Sequence, residues 1–202
     1  LNSDQTQLIN GYMGIVRPLI AKSMNYPLTV AEKAKLNGLL TLALMVSADA
    51  RLVNYSAKES DRFLFIQDKI KEVVNKGEKI VIYSSWIKAL VLLEPFLKEN
   101  NIGYTLFTGE LSVKRRNKNL TDFIEEDDVK VMLSTDSGGQ GIDGLQLAAN
   151  NILHIEQIWN PSKIDQRNGR LVRYLQKKDV VNVYNLTSNS EIEHMVSEAH
   201  IR

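Results

Sequence analysis

Val129-Lys130-Val131-Met132-Leu133, followed directly by Ser134-Thr135-Asp136-Ser137-Gly138-Gly139-Gln140-Gly141-Ile142-Asp143, sets the architecture of this chain. The first five residues form a β-branched, apolar run of strand length, and the next ten form a glycine-rich turn that leads into the apolar Leu145-Gln146-Leu147-Ala148-Ala149. In open α/β sheets the loop leaving the carboxyl end of a strand is where ligands bind, and clustered glycines let the backbone come close to them. The hydroxyls and amides suit phosphate or ribose. The same turn also serves merely as a tight strand-to-helix connection.

Working outward, further strands are expected at Lys79 to Tyr83, Tyr104 to Phe107, Asn151 to Ile155 and Val180 to Leu186. Helical segments separate them. Leu90, Leu93, Phe96 and Leu97 recur at helical spacing before an Asn100-Asn101 stop and Gly103. Ser112 to Ile124 starts on a capping serine, places Leu120, Phe123 and Ile124 on one side, and ends at the acidic Glu125 to Asp128. Such alternation predicts an α/β fold, a parallel sheet flanked by helices on both faces. Before Lys79 the pattern changes, because Asp4 to Lys22 and Thr29 to Val46 read as helices with no strand between them. Ser56 to Lys76 keeps Phe63, Ile66, Ile70, Val73 and Val74 on one face, and Gly77 stops it. The expected division is a small helical subdomain at 1–56 and a sheet-bearing lobe at 57–202.

With 44% hydrophobic residues in 202, the chain can bury a substantial core. Its 25 Lys+Arg against 24 Asp+Glu leave a net charge of +1, so any attraction to nucleic acid must come from local patches. The absence of cysteine excludes disulfides, thiol nucleophiles and Cys-ligated zinc. Runs such as Leu39 to Val46 fall far short of the roughly 20 apolar residues that a membrane helix needs, so a soluble protein is expected, and the lack of cysteine makes an intracellular home the simplest expectation. The first residue is Leu1 and no signal pattern follows, which reads as a segment of a longer protein.

A second segment with chemical potential is Asp165-Gln166-Arg167-Asn168-Gly169-Arg170-Leu171-Val172-Arg173. On a helix, Arg170 and Arg173 would share a face and could aim two planar, permanently charged forks at one anion. A solvated basic helix face gives the same pattern. Lys114, Arg115, Arg116 and Lys118 form a local basic run that suits either a phosphate backbone or water. His154, His194 and His200 show no ligand spacing, the Glu125 to Asp128 run reads as a solvated turn, and no metal site is expected. Trp159, before Asn160-Pro161, is expected to pack and to steer the arginine segment.

Taken in order, these segments resemble the C-terminal RecA-like lobe of superfamily-two helicases, closest to Swi/Snf-type translocases, over about residues 57 to 190. Lys79 to Trp86 resembles the family's motif IV strand, Tyr104 to Gly109 with the Lys114-Arg115-Arg116 helix resembles the segment after it, and Ser134 to Asp143 resembles motif V. Glu156-Gln157-Ile158-Trp159-Asn160-Pro161 resembles the Asp-Pro-Trp-Trp-Asn-Pro element, and Asp165 to Arg173 resembles motif VI, with Gln176 where the family's Arg-Ile-Gly-Gln ends. The resemblance implies that Arg173 is an arginine finger on the γ-phosphate of ATP, that Arg170 contacts phosphate or the opposite lobe, and that Gln166 couples nucleotide to the interlobe cleft. It further implies that Gly139 and Gly141 shape the nucleotide loop, that Asp143 faces the ribose or the finger, and that Ser134 and Thr135 touch nucleic acid, a contact that Lys114 and Arg115 of the basic run could extend. Two departures stand out: Gly169-Arg170 replaces the Asp-Arg of Swi/Snf proteins, and Asp143 replaces their Asn.

No Gly-x-x-x-x-Gly-Lys-Ser/Thr loop and no strand ending in Asp-Glu occurs in the chain. The resemblance therefore implies an N-terminal RecA-like lobe as partner, holding most of the ATP phosphates and the Mg²⁺, with double-stranded DNA as the nucleic acid and no role for a membrane. Two other readings accommodate a parallel sheet with a glycine turn: a RecA-shaped scaffold without catalysis, and a nucleotide-sugar transferase lobe.

Overall fold

The computed structural model describes residues 1–136 and 143–201. The chain divides into two compact units, 1–64 together with 187–202, and 65–186. The division expected from the sequence falls at 56/57 and leaves the C-terminal segment with the sheet. That segment instead belongs to the helical unit, for a reason visible in its side chains: the Glu193 carboxylate is buried against the Arg62 guanidinium at 2.6 Å and accepts from the Ser47 hydroxyl at 2.8 Å.

In the helical unit, α1 (Ser3–Asn25) and α2 (Val30–Ala48) both begin with capping boxes, Asn2 with Gln5 and Thr29 with Glu32, which satisfy the orphan amides of each first turn. Helix α1 packs on α2 and buries Met13 and Val16 completely. The third helix, α3 (Asp61–Asn75), starts later than its apolar spacing suggests. Residues 56–60 are drawn into a loop, where the Lys58 amide donates to Asp4 and the Ser60 hydroxyl accepts from the Phe63 amide.

The second unit is a five-stranded, wholly parallel sheet of β1 (Ile80–Tyr83), β2 (Gly103–Phe107), β3 (Val129–Ser134), β4 (Asn151–His154) and β5 (Asn182–Asn185), in the order β2-β3-β1-β4-β5. All five expected strands are present. Every residue of β1 and β4 is buried, as continuous rather than alternating hydrophobicity requires of strands covered on both faces. One face carries Val81, Tyr83, Met132 and Ile152, packed against Phe123 of α6 (Val113–Glu125), Leu145 of α7 (Leu145–Ala148), and Leu171. The expected single helix between β1 and β2 is two, α4 (Ile87–Val91) and α5 (Glu94–Glu99), because Pro95 sits in the first turn of the second. Ser112 caps α6 as expected, accepting from the Arg115 amide.

Two backbone positions show that the turn signals have steric causes. Asn101 takes the left-handed conformation (φ 52°), and Gly77 (φ 75°) ends α3. No helix among the described residues is long and apolar enough to cross a membrane.

Candidate nucleotide and nucleic-acid site

Because every strand is parallel, the segments that leave β1, β3 and β4 emerge on one edge of the sheet. The ladder continues one residue past the strands there, with the Ser84 amide donating to Ser134 O, Thr135 N–H to Phe107 O, and Ile155 N–H to Tyr83 O. Helix α8 (Pro161–Asn168), capped by the Asn160 side chain on the Ser162 amide, lies along this edge. Its placement follows from Arg167, which is only 3% exposed and contacts the ends of three strands.

The Arg167 Nε donates to Asp136 Oδ1 at 2.6 Å, Nη2 to the Ser85 hydroxyl at 3.3 Å, and Nη1 lies 3.4 Å from His154 Nδ1. Its guanidinium stands 5.3 Å from the Tyr83 ring centroid and 3.9 Å from Glu156, while Lys163 approaches the other oxygen of Asp136 at 3.6 Å. His154 Nε2 is 2.9 Å from Asn168 Oδ1. Burial, together with the Arg167 charge, drives the His154 pKa down to about 4, although its bond to Asn168 acts the other way. The imidazole is therefore neutral; an Nδ1 facing a guanidinium must accept, which leaves the Nε2 proton for Asn168. Burial pushes Glu156 above the usual carboxylate range against the pull of Arg167 and the Ser85 amide, and it pushes the Tyr83 phenol up to about 12 although Arg170 and Arg167 pull it down.

The two arginines singled out in the sequence do not share a helix. Helix α8 ends at Asn168, and Gly169 through Leu175 form successive turns in which the Arg170 amide bonds to Arg167 O and the Arg173 amide to Leu171 O. Glycine and the β-branched Val172 after a helix of eight residues do not sustain another turn of it. Arg170 is half-buried, close enough for its charge to act on Tyr83. Arg173 is half-exposed and ion-paired with Asp143, which follows the glycine turn. Gly139 and Gly141 lie outside the described residues. Gln166 is exposed on α8.

Ser134 and Thr135, expected to touch nucleic acid, are both buried, and the Ser134 hydroxyl is turned to the carbonyls of Phe107 and Thr135. Their position at the end of a central strand accounts for this, and Ser134 presents no hydroxyl to a ligand. Lys114 and Arg115 are exposed in the first turn of α6. Two cations there oppose the helix dipole, and no acidic residue offsets them in that turn, so positive potential gathers at that point. Trp159 is 40% exposed rather than packed away. Arg167, Asp136, Glu156 and Ser85 are not singled out by the sequence, and His154 reads there as a strand residue with no metal-ligand spacing; Arg167 beside Gln166 in an otherwise polar helix is the signal available. Among the described residues no group of three or more His, Asp or Glu is placed to hold a metal ion.

Residues 65–175 match the helicase conserved C-terminal domain. The uncharacterized ATP-dependent helicase YqhH of Bacillus subtilis is 28% identical over 138 residues, covering 68% of this chain and 23% of that protein. The RAD54-like DNA repair and recombination protein of Drosophila erecta is 28% identical over 151 residues (71% and 19%), and DNA repair protein RAD5A of Arabidopsis thaliana is 32% identical over 123 (60% and 12%). The chain thus spans 12–23% of the length of these curated relatives. Among solved structures, the C-terminal part of the Fun30 ATPase domain superposes with a TM-score of 0.76 at 21% identity, over 98% of this chain and 85% of that one. The Sulfolobus solfataricus SWI2/SNF2 ATPase core in complex with dsDNA gives 0.76 at 22% identity, over 97% and 42%. The chain belongs to the helicase conserved C-terminal domain family, and its fold is that of the C-terminal part of the Fun30 ATPase domain and of the Sulfolobus SWI2/SNF2 ATPase core.

Proposed function

We propose that this chain is the second motor lobe of an ATP-dependent DNA translocase, supplying Arg173 as the arginine finger and Arg170 as its phosphate-facing neighbour to a nucleotide held mainly by an N-terminal RecA-like lobe. The observation that carries this reading is the half-exposed Arg173 guanidinium, ion-paired with Asp143 at the end of the Ser134 to Asp143 segment. A carboxylate partner at the surface can be exchanged for a phosphate at little cost, and a planar cation at that point can stabilise charge developing on the γ-phosphate. The residues present fit that anion. Those described do not make a metal cage, so Mg²⁺ would be held by the first lobe. Gln166, Gly139, Gly141 and Asp143 would line the nucleotide side. Lys114 and Arg115 would meet the phosphate backbone, double-stranded as in the Sulfolobus complex, inside the cell.

In the full-length protein, DNA-stimulated ATP hydrolysis should fall roughly a thousandfold in Arg173→Ala, judged from arginine fingers in general. An unchanged turnover would remove Arg173 from this role. Residues 1–202 alone should show no turnover, and robust hydrolysis by them would overturn the two-lobe reading.

A further inference from the structure

We propose that Arg167 is the positioning residue for Arg173, its buried guanidinium anchoring the chain that carries it to the ends of three strands. The inference rests on the reading of Arg173 given above and adds a residue to it. At 3% exposure Arg167 cannot itself reach a nucleotide. Its donors instead engage Asp136 after β3, Ser85 after β1 and His154 at the end of β4, and the adjoining residue, Asn168, is held by the other nitrogen of the same imidazole. Two adjacent residues at the end of α8 are thereby fixed to the sheet.

Beyond Asn168 the helical lattice is gone, so it cannot aim Arg170 or Arg173. In its place a short series of turns hangs from that anchor. Arg167 O accepts from the Arg170 amide, Asn168 O accepts from the Leu171 and Val172 amides, and Leu171 is buried in the core below the sheet face. Gln176 closes the series, its Nε2 donating to Ala149 O and Leu171 O at 3.0 Å. A finger displaced by about 1 Å loses most of its effect on a transition state. The anchor therefore acts on turnover through Arg173, while contributing nothing directly to the affinity for ground-state ATP.

The test is a mutant cycle in the full-length protein, measuring DNA-stimulated ATP turnover alongside thermal unfolding and circular dichroism on every variant. Arg167→Met should lower kcat about tenfold or more while KM for ATP moves less than about twofold, and Arg167→Lys should recover part of the loss. The decisive comparison is Arg167→Met with Arg173→Ala: if one acts through the other, the double variant is no slower than Arg173→Ala alone. Losses that multiply, or a loss confined to KM or to the folded fraction, would overturn the positioning role. Should Arg167→Met not fold, Asp136→Asn, which keeps the side-chain shape but removes the anchoring charge, carries the same cycle with the same criteria. A fully active Arg173→Ala would reject the finger and this inference together, whereas an impaired Arg173→Ala with multiplying losses rejects the positioning role only.

Discussion

The guanidinium of Arg173 is ion-paired with the carboxylate of Asp143, across thirty residues of chain that include β4 and α8. Both side chains are open to water, 47% and 76% exposed. Solvent screening and the entropy of holding two free side chains leave such a pair worth no more than about 1 kcal/mol. It contrasts with Arg167, six residues earlier, whose guanidinium is closed off from solvent. The segment thus holds one arginine closed into the sheet edge and one held at the surface by a single exposed ion pair.

Removal of either exposed partner should therefore leave the fold intact. In urea unfolding, Asp143→Ala and Arg173→Ala should each change stability by less than about 1 kcal/mol. A loss of about 3 kcal/mol in either would mean that the pair is a structural element and not an exchangeable one.

Gly103 opens β2 where the chain passes Asp128 at close range. A Cβ placed on it would lie 2.2 Å from the Asp128 carbonyl oxygen and 3.2 Å from the Val129 Cα, both main-chain atoms that cannot rotate aside. Gly103→Ala should therefore cost roughly 2 kcal/mol or more, in line with overpacked sites, and should loosen the β2–β3 ladder in hydrogen exchange. Unaltered stability and protection would show that the two strands can separate freely.

The strands were legible because a buried parallel sheet needs unbroken apolar runs, and Ile80–Tyr83 and Asn151–His154 supply them. The cap of α6 was legible because Ser112 acts locally. Long-range pairing was not: nothing local to Glu193 announces that it meets Arg62, 131 residues away, and so the sequence alone leaves the C-terminal segment with the sheet. The buried cluster is hidden for the same reason, since Ser85, Asp136, His154 and Arg167 come from four separate segments. The end of α8 is ambiguous because three-residue spacing of arginines is also compatible with successive turns.

The buried pair of Arg62 and Glu193 gives a prediction whose size depends on how it is broken. Glu193 also accepts from Ser47 and from the Ser188 amide, so its removal strips several donors of their acceptor at once. Glu193→Ala should destabilise the chain by about 3–5 kcal/mol, whereas Arg62→Met with Glu193→Leu should recover the part due to the unpaired Arg62 charge, the Ser47 hydroxyl and the Ser188 amide still lacking their acceptor. A double replacement as unstable as Glu193→Ala would show that the carboxylate is needed for its hydrogen bonds to the chain and not for the charge pair.

His154 makes the stability of the sheet edge depend on pH in a direction its environment dictates. Its native pKa of about 4 lies below the ordinary 6.5, so the unfolded chain takes up the proton first as the solution is acidified. The contribution of the neutral imidazole is complete above pH 6.5 and is lost as pH falls toward 4. Glu156 opposes this, because burial raises its pKa and the native state gains from its protonation over part of the same range. The net slope for the wild type is therefore a poor guide, and the comparison to make is with His154→Gln, which keeps a polar side chain but cannot titrate. Measured by urea unfolding across pH 4 to 8, the stability difference between wild type and His154→Gln should be constant above about pH 7 and should shift against the wild type below pH 6.5, by up to about 3 kcal/mol near pH 4. A difference that stays flat through this window would mean that the imidazole is not held neutral between Arg167 and Asn168.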